Sequence, residues 1–233
     1  MKNFLIRNFP SLGKYKRFLK AFVDSISPVK TSYSQYQEDK YILGVVEQLK
    51  AGKEDNIYID VGANHPTDIS NTYLFYKKGY SGIVIEPNKE LIHLFNIFRK
   101  RDIALEIGCG KNPEVLPFYI SPTPVISSFK NADIHFGSKR KYTAVLPLDI
   151  AIQHIDIKEI FLVSIDVEGM NYEVLQGAMQ TIIKSKIICV EFDSDTDKED
   201  LISLISDNFK PIKEMYCNLI FINKRFLHLF KEI

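Results

Sequence analysis

No run of apolar residues in this 233-residue chain is long enough to cross a bilayer, and the charge and hydropathy pattern after Met1 leads us to expect no secretory leader. There are only three cysteines, Cys109, Cys189 and Cys217, odd in number and unevenly spaced, which argues against a disulfide framework or a zinc site. Two of them lie in apolar runs, where a buried free thiol is the plain reading, and a reducing, cytoplasmic setting is expected. A glycine-rich phosphate loop is also missing. The richest candidate turn reads DVGANHP (60–66), without the G-x-G-x-x-G spacing of a dinucleotide fold or the Lys-Ser/Thr pair of a P-loop. No internal repeat is visible. A net charge of +1 gives no overall attraction to nucleic acid, and the bases gather at the N-terminus and at Lys139–Lys141 rather than along an aromatic groove. Nucleic acid is therefore not expected as a partner.

What is present is ordinary for a globular domain: 45% hydrophobic and 25% charged residues. The length suits one large domain, or one domain with an appendage. Residues 1–30 stand apart in charge, with Lys2, Arg7, Lys14, Lys16, Arg17, Lys20 and Lys30 against the single acid Asp24. Over 12–26 the residues Leu12, Tyr15, Phe18, Leu19, Phe22, Val23 and Ile26 share one helical face, with Lys16, Arg17 and Lys20 on another. This predicts a basic amphipathic helix, ended by Pro28. Three destinations compete for its apolar face: the inner face of a membrane as a peripheral contact, a protein partner, or the protein's own core.

The stretch that organises the rest is IYIDVGANHP, 57–66, a β-branched run ending in Asp60 and broken by Gly62 and Pro66. It reads as a buried parallel strand with a carboxylate and a bare backbone at its carboxyl end, where open α/β sheets bind ligands. A helix over 71–78 and a second strand, GIVIEPN from Gly82, follow; Glu86 stands about 20 residues after the turn, where a carboxylate accepts ribose hydroxyls. Further on the pattern predicts helix 89–100 capped by Asn88, strand 103–108, strand 160–165, helix 171–184, strand 187–192 and helix 198–207. Strands 210–216 and 218–223 and a short tail helix after Arg225 close the chain. A second helix is expected within 33–49, and a turn at 53–55. The intervening 108–148, broken by Pro113, Pro117, Pro122 and Pro124, reads as an insertion of loops and short strands on the acceptor side. Asp149 is read as a helix N-cap. The expected fold class is α/β, doubly wound and mostly parallel, with N-terminal helices before a domain over 31–233.

Four acids, Asp60, Glu86, Asp166 and Glu191, end the predicted strands, and Glu168 lies just beyond the third. Such an edge repels a pyrophosphate. It suits a nucleoside with a positive charge and no phosphate, and S-adenosylmethionine, with its sulfonium, amino group and ribose hydroxyls, meets that description.

The stretches SQYQEDKYI (34–42), IYIDVGANHP (57–66), SNTYLFYKKGYSGIVIEPN (70–88), FRKRD (98–102), LVSIDVEGMNYEVLQG (162–177) and CVEF (189–192) together resemble the FkbM-like branch of the class I S-adenosylmethionine-dependent methyltransferases. The resemblance implies a seven-stranded Rossmann-like sheet with a reversed last strand and S-adenosyl-L-methionine as cofactor. It implies that the turn Asp60, Gly62, Ala63 and Asn64 holds the methionine end, that Glu86 and Pro87 lie at the ribose, and that Asp166 and Glu168 face the methyl group or the acceptor. Asn71 and Thr72 match the family's first loop and helix start, and with Ser127 and Ser128 they are the candidate substrate contacts. Two positions depart from the family pattern: Asn171 stands where an acid is usual after the DVEG turn, and Tyr80 replaces a usual Trp.

Methyl transfer is an in-line displacement in which positioning and water exclusion do much of the catalysis. A sugar hydroxyl, the acceptor the family implies through polysaccharide biosynthesis, needs a base, and Asp166, Glu168 and His65 are the candidates. A divalent metal between Asp166 and Glu168 lacks a third ligand, so none is expected. Two other readings stand beside O-methylation of a glycan or glycosylated small molecule: N-methylation of an amine or peptide, and a non-catalytic cofactor-binding partner subunit. For each acid the alternative role is a helix cap, and for His65 a purely structural place in its loop.

Overall fold

The computed structural model describes residues 10–52, 56–121, 127–130 and 138–232. The turn expected at 53–55, Pro122, Pro124 and the side chain of Leu12 lie outside the described residues. Seven strands form the main sheet: β1 (Asn56–Val61), β2 (Gly82–Ile85), β3 (Ile103–Leu105), β7 (Glu159–Ile165), β8 (Ser185–Glu191), β9 (Phe209–Met215) and β10 (Asn218–Asn223). Their order is β3-β2-β1-β7-β8-β10-β9. β10, the last strand in the chain, is antiparallel to both neighbours, while β1, β2, β3, β7 and β8 pair in parallel. The chain reverses its winding between β1 and β7. This is the expected seven-stranded, doubly wound sheet with a reversed last strand.

The central strands are apolar on both faces because both are covered. Ile59, Val61, Val163, Ile165, Ile188 and Val190 meet α5 (Leu148–Ala151), α6 (Asn171–Gln176), α7 (Met179–Ile182) and α8 (Asp195–Ile205) on one side. Tyr58, Val84, Leu162, Ile187 and Cys189 meet α2 (Glu38–Gln48), α3 (Tyr73–Lys77) and α4 (Lys89–Phe98) on the other.

Several boundaries differ from the sequence expectation. The helix expected over 171–184 is two helices, because a Cβ at Gly177 would lie 2.1 Å from the Gly110 carbonyl oxygen and the chain turns there to fit. Asp149 does not cap its own helix. It accepts hydrogen bonds from the backbone N–H groups of Gln180 and Thr181 (3.0 and 2.8 Å) at the start of α7. The strand expected over 103–108 stops at Leu105, and the tail is a 3-10 helix over Lys224–Leu229. The interrupted segment carries a second, three-stranded sheet of β4 (Gly108–Cys109), β6 (Lys139–Leu146) and β5 (Glu114–Ile120).

The N-terminal helix α1 (Pro10–Ile26) forms as expected but sits with its polar face inward. Ala21 and Asp24 are buried, while Tyr15, Phe22, Val23 and Ile26 are exposed. Asp24 takes Lys20, Lys30 (2.8 Å) and the Thr67 hydroxyl (3.0 Å). Lys77 donates to the carbonyls of Ser25 (3.1 Å) and Ser27 (2.8 Å) at the helix end, a favourable place for a cation.

Between α4 and the sheet lies Arg99, fully buried. Its Nε donates to Asp102 (2.6 Å), and its other nitrogens to the Tyr58 hydroxyl (2.8 Å), the Thr72 hydroxyl (3.0 Å) and the Pro66 carbonyl (3.3 Å). Asp102 also accepts from Tyr58 (2.6 Å) and from the Gly82 N–H (3.0 Å), so one ion pair ties β1, β2, the first loop and α3. Breaking such a buried pair from one side costs about 3–5 kcal/mol. Asp102→Ala is expected to lose about that much stability in urea denaturation, whereas Lys198→Ala, which removes an exposed pair with Glu214, is expected to lose under about 1 kcal/mol.

Candidate active site

A cavity opens at the carboxyl ends of β1, β2, β7 and β8, at the reversal of winding. Pairing brings Val61 beside Ile85 and Ile165, and Ile165 beside Val190, so the next residues line up along one edge. Those residues are Gly62, Glu86, Asp166 and Glu191, and all four line the cavity with Asp60. Gly62 has φ +80°, and a Cβ there would lie 1.9 Å from the Asp166 carbonyl oxygen, so only glycine fits this turn. The N–H groups of Gly62 and Ala63 both donate to the Ile85 carbonyl (3.0 and 3.1 Å). Asn64, at φ +47°, then gives its N–H to Glu86 (3.0 Å), while the other Glu86 oxygen accepts from the Asn88 N–H (2.8 Å). Asn88 in turn caps α4 through the Glu90 N–H, as expected.

The expected site residues divide clearly. Asp60, Gly62, Ala63, Asn64, Glu86, Pro87, Asn71, Ser127, Ser128, Asp166 and Glu168 all line the cavity. Ser127 and Ser128, beside β5, close one wall with Phe118 and Phe129.

His65 and Thr72 lie elsewhere. Nε2 of His65 donates to the Arg17 carbonyl of α1 (3.1 Å), and Nδ1 accepts from the N–H groups of Thr67 and Asp68 (3.3 and 3.2 Å). Burial lowers its pKa. Both ring nitrogens are engaged in shaping the loop, and His65 is not among the residues that line the cavity. Thr72 is fully buried and is not among the residues that line the cavity; its hydroxyl accepts from the Arg99 guanidinium and donates to Asp60.

Three further residues belong to the site. Glu191, a strand-end acid outside the candidate catalytic set, lies beside Asp166, and its Oε1 accepts from the Cys217 thiol (3.5 Å). Its Oε2 is buried and has no hydrogen-bond partner among the described residues. Arg99 acts at one remove through Thr72. Gln35, from the SQYQEDKYI stretch, lines the cavity beside the acids. Each had a signal in sequence: a fourth strand-end acid, a base within FRKRD, and a polar residue in a matching stretch.

Burial raises the pKa of every acid on this edge. Glu86 is pushed up to about 7, mainly by burial, with the neighbouring Asp60 and Asp166 adding to it against its two backbone N–H donors. Asp60 is raised by burial, and Arg99 and Thr72 hold it back. Burial and the adjacent Glu191 carboxylate push Asp166 well above the usual carboxylate range, and burial raises Glu191 as well. Ile69, at φ +51°, is a strained β-branched residue on the cavity wall.

Residues 60–218 match the methyltransferase FkbM domain family. The chain belongs to that family. The match runs from the first strand-end acid, Asp60, to Asn218 at the start of β10, so it contains the whole acid-lined edge. No curated protein matches the chain. Among solved structures it is similar to the METTL16 MTase domain, at 9% identity and TM-score 0.45, covering 79% of this chain and 66% of that one. A human methyltransferase 10 domain containing protein is similar at 8% identity and TM-score 0.41, covering 80% of both chains. The present chain thus spans just under two thirds of the METTL16 domain's length.

The raised Glu86 pKa has a measurable consequence. Between its ordinary value of 4.5 and about 7 the unfolded chain loses this proton while the folded chain keeps it. Stability therefore falls as pH rises through that window, by an amount on the order of 3 kcal/mol from this group. Glu86→Gln is expected to flatten that part of the stability–pH curve measured by urea denaturation between about pH 4.5 and 7.5.

Proposed function

We propose that this FkbM-family methyltransferase domain uses S-adenosyl-L-methionine to methylate a hydroxyl group of a glycan or a glycosylated small molecule. The observation that carries the cofactor assignment is the concentration of buried carboxylates around one cavity at the winding reversal. Asp60, Glu86 and the Asp166–Glu191 pair offer acceptors to a ribose, an amine and a sulfonium, and they oppose a phosphate. The Gly62 turn brings the ends of β1 and β7 together, with the Asp166 carbonyl oxygen only 1.9 Å from where a Cβ on Gly62 would stand. The unpartnered Oε2 of Glu191 is a buried acceptor suited to an amine, a hydroxyl or a nearby cation.

In this reading Asp60 and the 62–64 turn hold the methionine end and Glu86 accepts the ribose hydroxyls. When bound, the cofactor supplies a methyl group on a positively charged sulfur that leaves as a neutral thioether. The chain's own part is to hold the acceptor in line and to take its proton. Burial raises both carboxyl groups of the Asp166–Glu191 pair, which makes an ionised member a stronger proton acceptor than an exposed carboxylate and suits it to take the hydroxyl proton. Glu168 and the wall of Ser127, Ser128 and Phe129 flank the acceptor side. The sugar as acceptor class rests on the family resemblance and on this hydroxylated, carboxylate-bearing wall.

Calorimetric titration with S-adenosylhomocysteine is expected to show micromolar binding, with none for NAD. Glu86→Ala is expected to weaken it roughly 10–100-fold through lost hydrogen bonds to a carboxylate. No binding would overturn the cofactor assignment. Asp166→Asn is expected to keep much of the binding but to slow methyl transfer to a sugar panel by roughly 10²–10⁴. Transfer to amines with the variant at wild-type speed would instead place the reaction on nitrogen.

A further inference from the structure

We infer that α1 is a membrane-docking device that lays the domain on an anionic bilayer. The helix has a polar and an apolar face, and it packs the polar one against the protein. Tyr15, Phe18, Leu19, Phe22, Val23 and Ile26 are 59%, 40%, 39%, 46%, 52% and 69% exposed. At about 100° per residue they span one contiguous side. Of these, Phe18 touches the domain by its edge-on contact with Phe98. A chain seeking only a core would have turned this face inward, since burying it is the main gain an amphipathic helix offers.

The orientation is held by bonds on the inner face. The Arg17 carbonyl receives His65, Asp24 receives Thr67, Lys20 and Lys30, Lys20 also pairs with Asp68 (3.0 Å), and Lys14 pairs with Glu90 (2.7 Å). Rotating the apolar side inward would break the contacts to His65, Thr67, Asp68 and Glu90 together.

Charge selects the occupant. Lys16 and Lys20 run along one margin of the apolar face and Lys14 along the other, with Lys14 57% and Lys20 39% exposed at the side chain. On helix geometry Lys16 lies nearest the apolar side, where it extends toward a surface that the face has entered. The acids in reach, Asp24, Glu90 and Asp68, are each already paired with these bases. An apolar face rimmed by lysines matches an interface of acyl chains beneath anionic headgroups. A helix of 17 residues carrying four bases lies on such a surface rather than crossing it, and no helix among the described residues is long and apolar enough to span.

The test is flotation of the full chain with vesicles of phosphatidylcholine alone or mixed with phosphatidylglycerol, a readout independent of methyl transfer. Binding is expected on the anionic vesicles and is expected to fall at least tenfold on the neutral ones or in about 0.5 M salt. Lys16→Ala is expected to weaken it roughly fivefold. The double variant Phe22→Asp with Ile26→Asp is expected to abolish flotation while its circular dichroism and S-adenosylhomocysteine titration stay unchanged, because both side chains are exposed. Absence of wild-type flotation on anionic vesicles overturns the proposal. So does a stable dimer, seen by light scattering, that the double variant converts to monomer, since the face would then belong to a second copy.

Discussion

Arg99 is the constraint on which the ligand edge depends. A fully buried guanidinium is tolerable only where its donors are met and its charge is balanced, and here Asp102, the Tyr58 and Thr72 hydroxyls and the Pro66 carbonyl meet them. The planar fork of arginine reaches in several fixed directions at once, which a lysine cannot do. One of those directions ends at Thr72, whose hydroxyl passes the constraint to Asp60. Another ends at Pro66, in the loop that leaves the Gly62 turn. The carboxylate closest to the start of the site is therefore held by a cation that never enters the cavity.

The acids of the edge are costly to bury, and their raised pKa values express that cost. Among the described residues Asp60 alone of these acids has a buried cation near it; Glu86 has backbone N–H donors, Asp166 has the Glu191 carboxylate beside it, and Glu191 accepts from the Cys217 thiol. A cationic ligand beside them favours the ionised forms, so its binding and the release of protons are linked. An anionic ligand does the reverse. The same electrostatics that sets the stability penalty of the edge favours a cationic ligand over an anionic one, in line with the way strained electrostatics gathers at functional sites.

Much of this was legible in the chain because it was written locally. Continuous apolar runs ending in an acid at Asp60, Glu86, Asp166 and Glu191 identify central strands and the edge where they stop, and the tight pattern around Gly62 identifies its turn. The rest depended on partners distant in sequence. His65 and Thr72 carry polar groups in a site-like loop, yet their bonds run to Arg17 and Asp60, which no spacing rule connects. Gly177 looks harmless within a helical pattern until Gly110 lies against it. Asp149 has the chemistry of a cap, but the helix it caps begins about 30 residues later. For α1, periodicity reveals two faces and is silent on which is inward, because that choice is made by Asp24, His65 and Thr67 together.

The loop from Asn64 to Thr72 is gripped from two sides, and this ties the last feature to the first. On its inner side stand Glu86, Arg99 and Asp60; on its outer side stands α1, through the His65, Thr67 and Asp68 contacts. The polar inner face of α1 is therefore spent on shaping the loop that leads out of the Gly62 turn. Local pattern and global packing disagree at this helix: its apolar side is left in water. Such disagreements are expected at functional sites, where some other interaction sets the placement. Here the placement leaves one helix with two duties, a polar side that braces the wall of the ligand edge and an apolar side free to meet a surface. A rigid bond network between the two means that the same helix fixes the orientation of the cavity relative to whatever its outer face contacts.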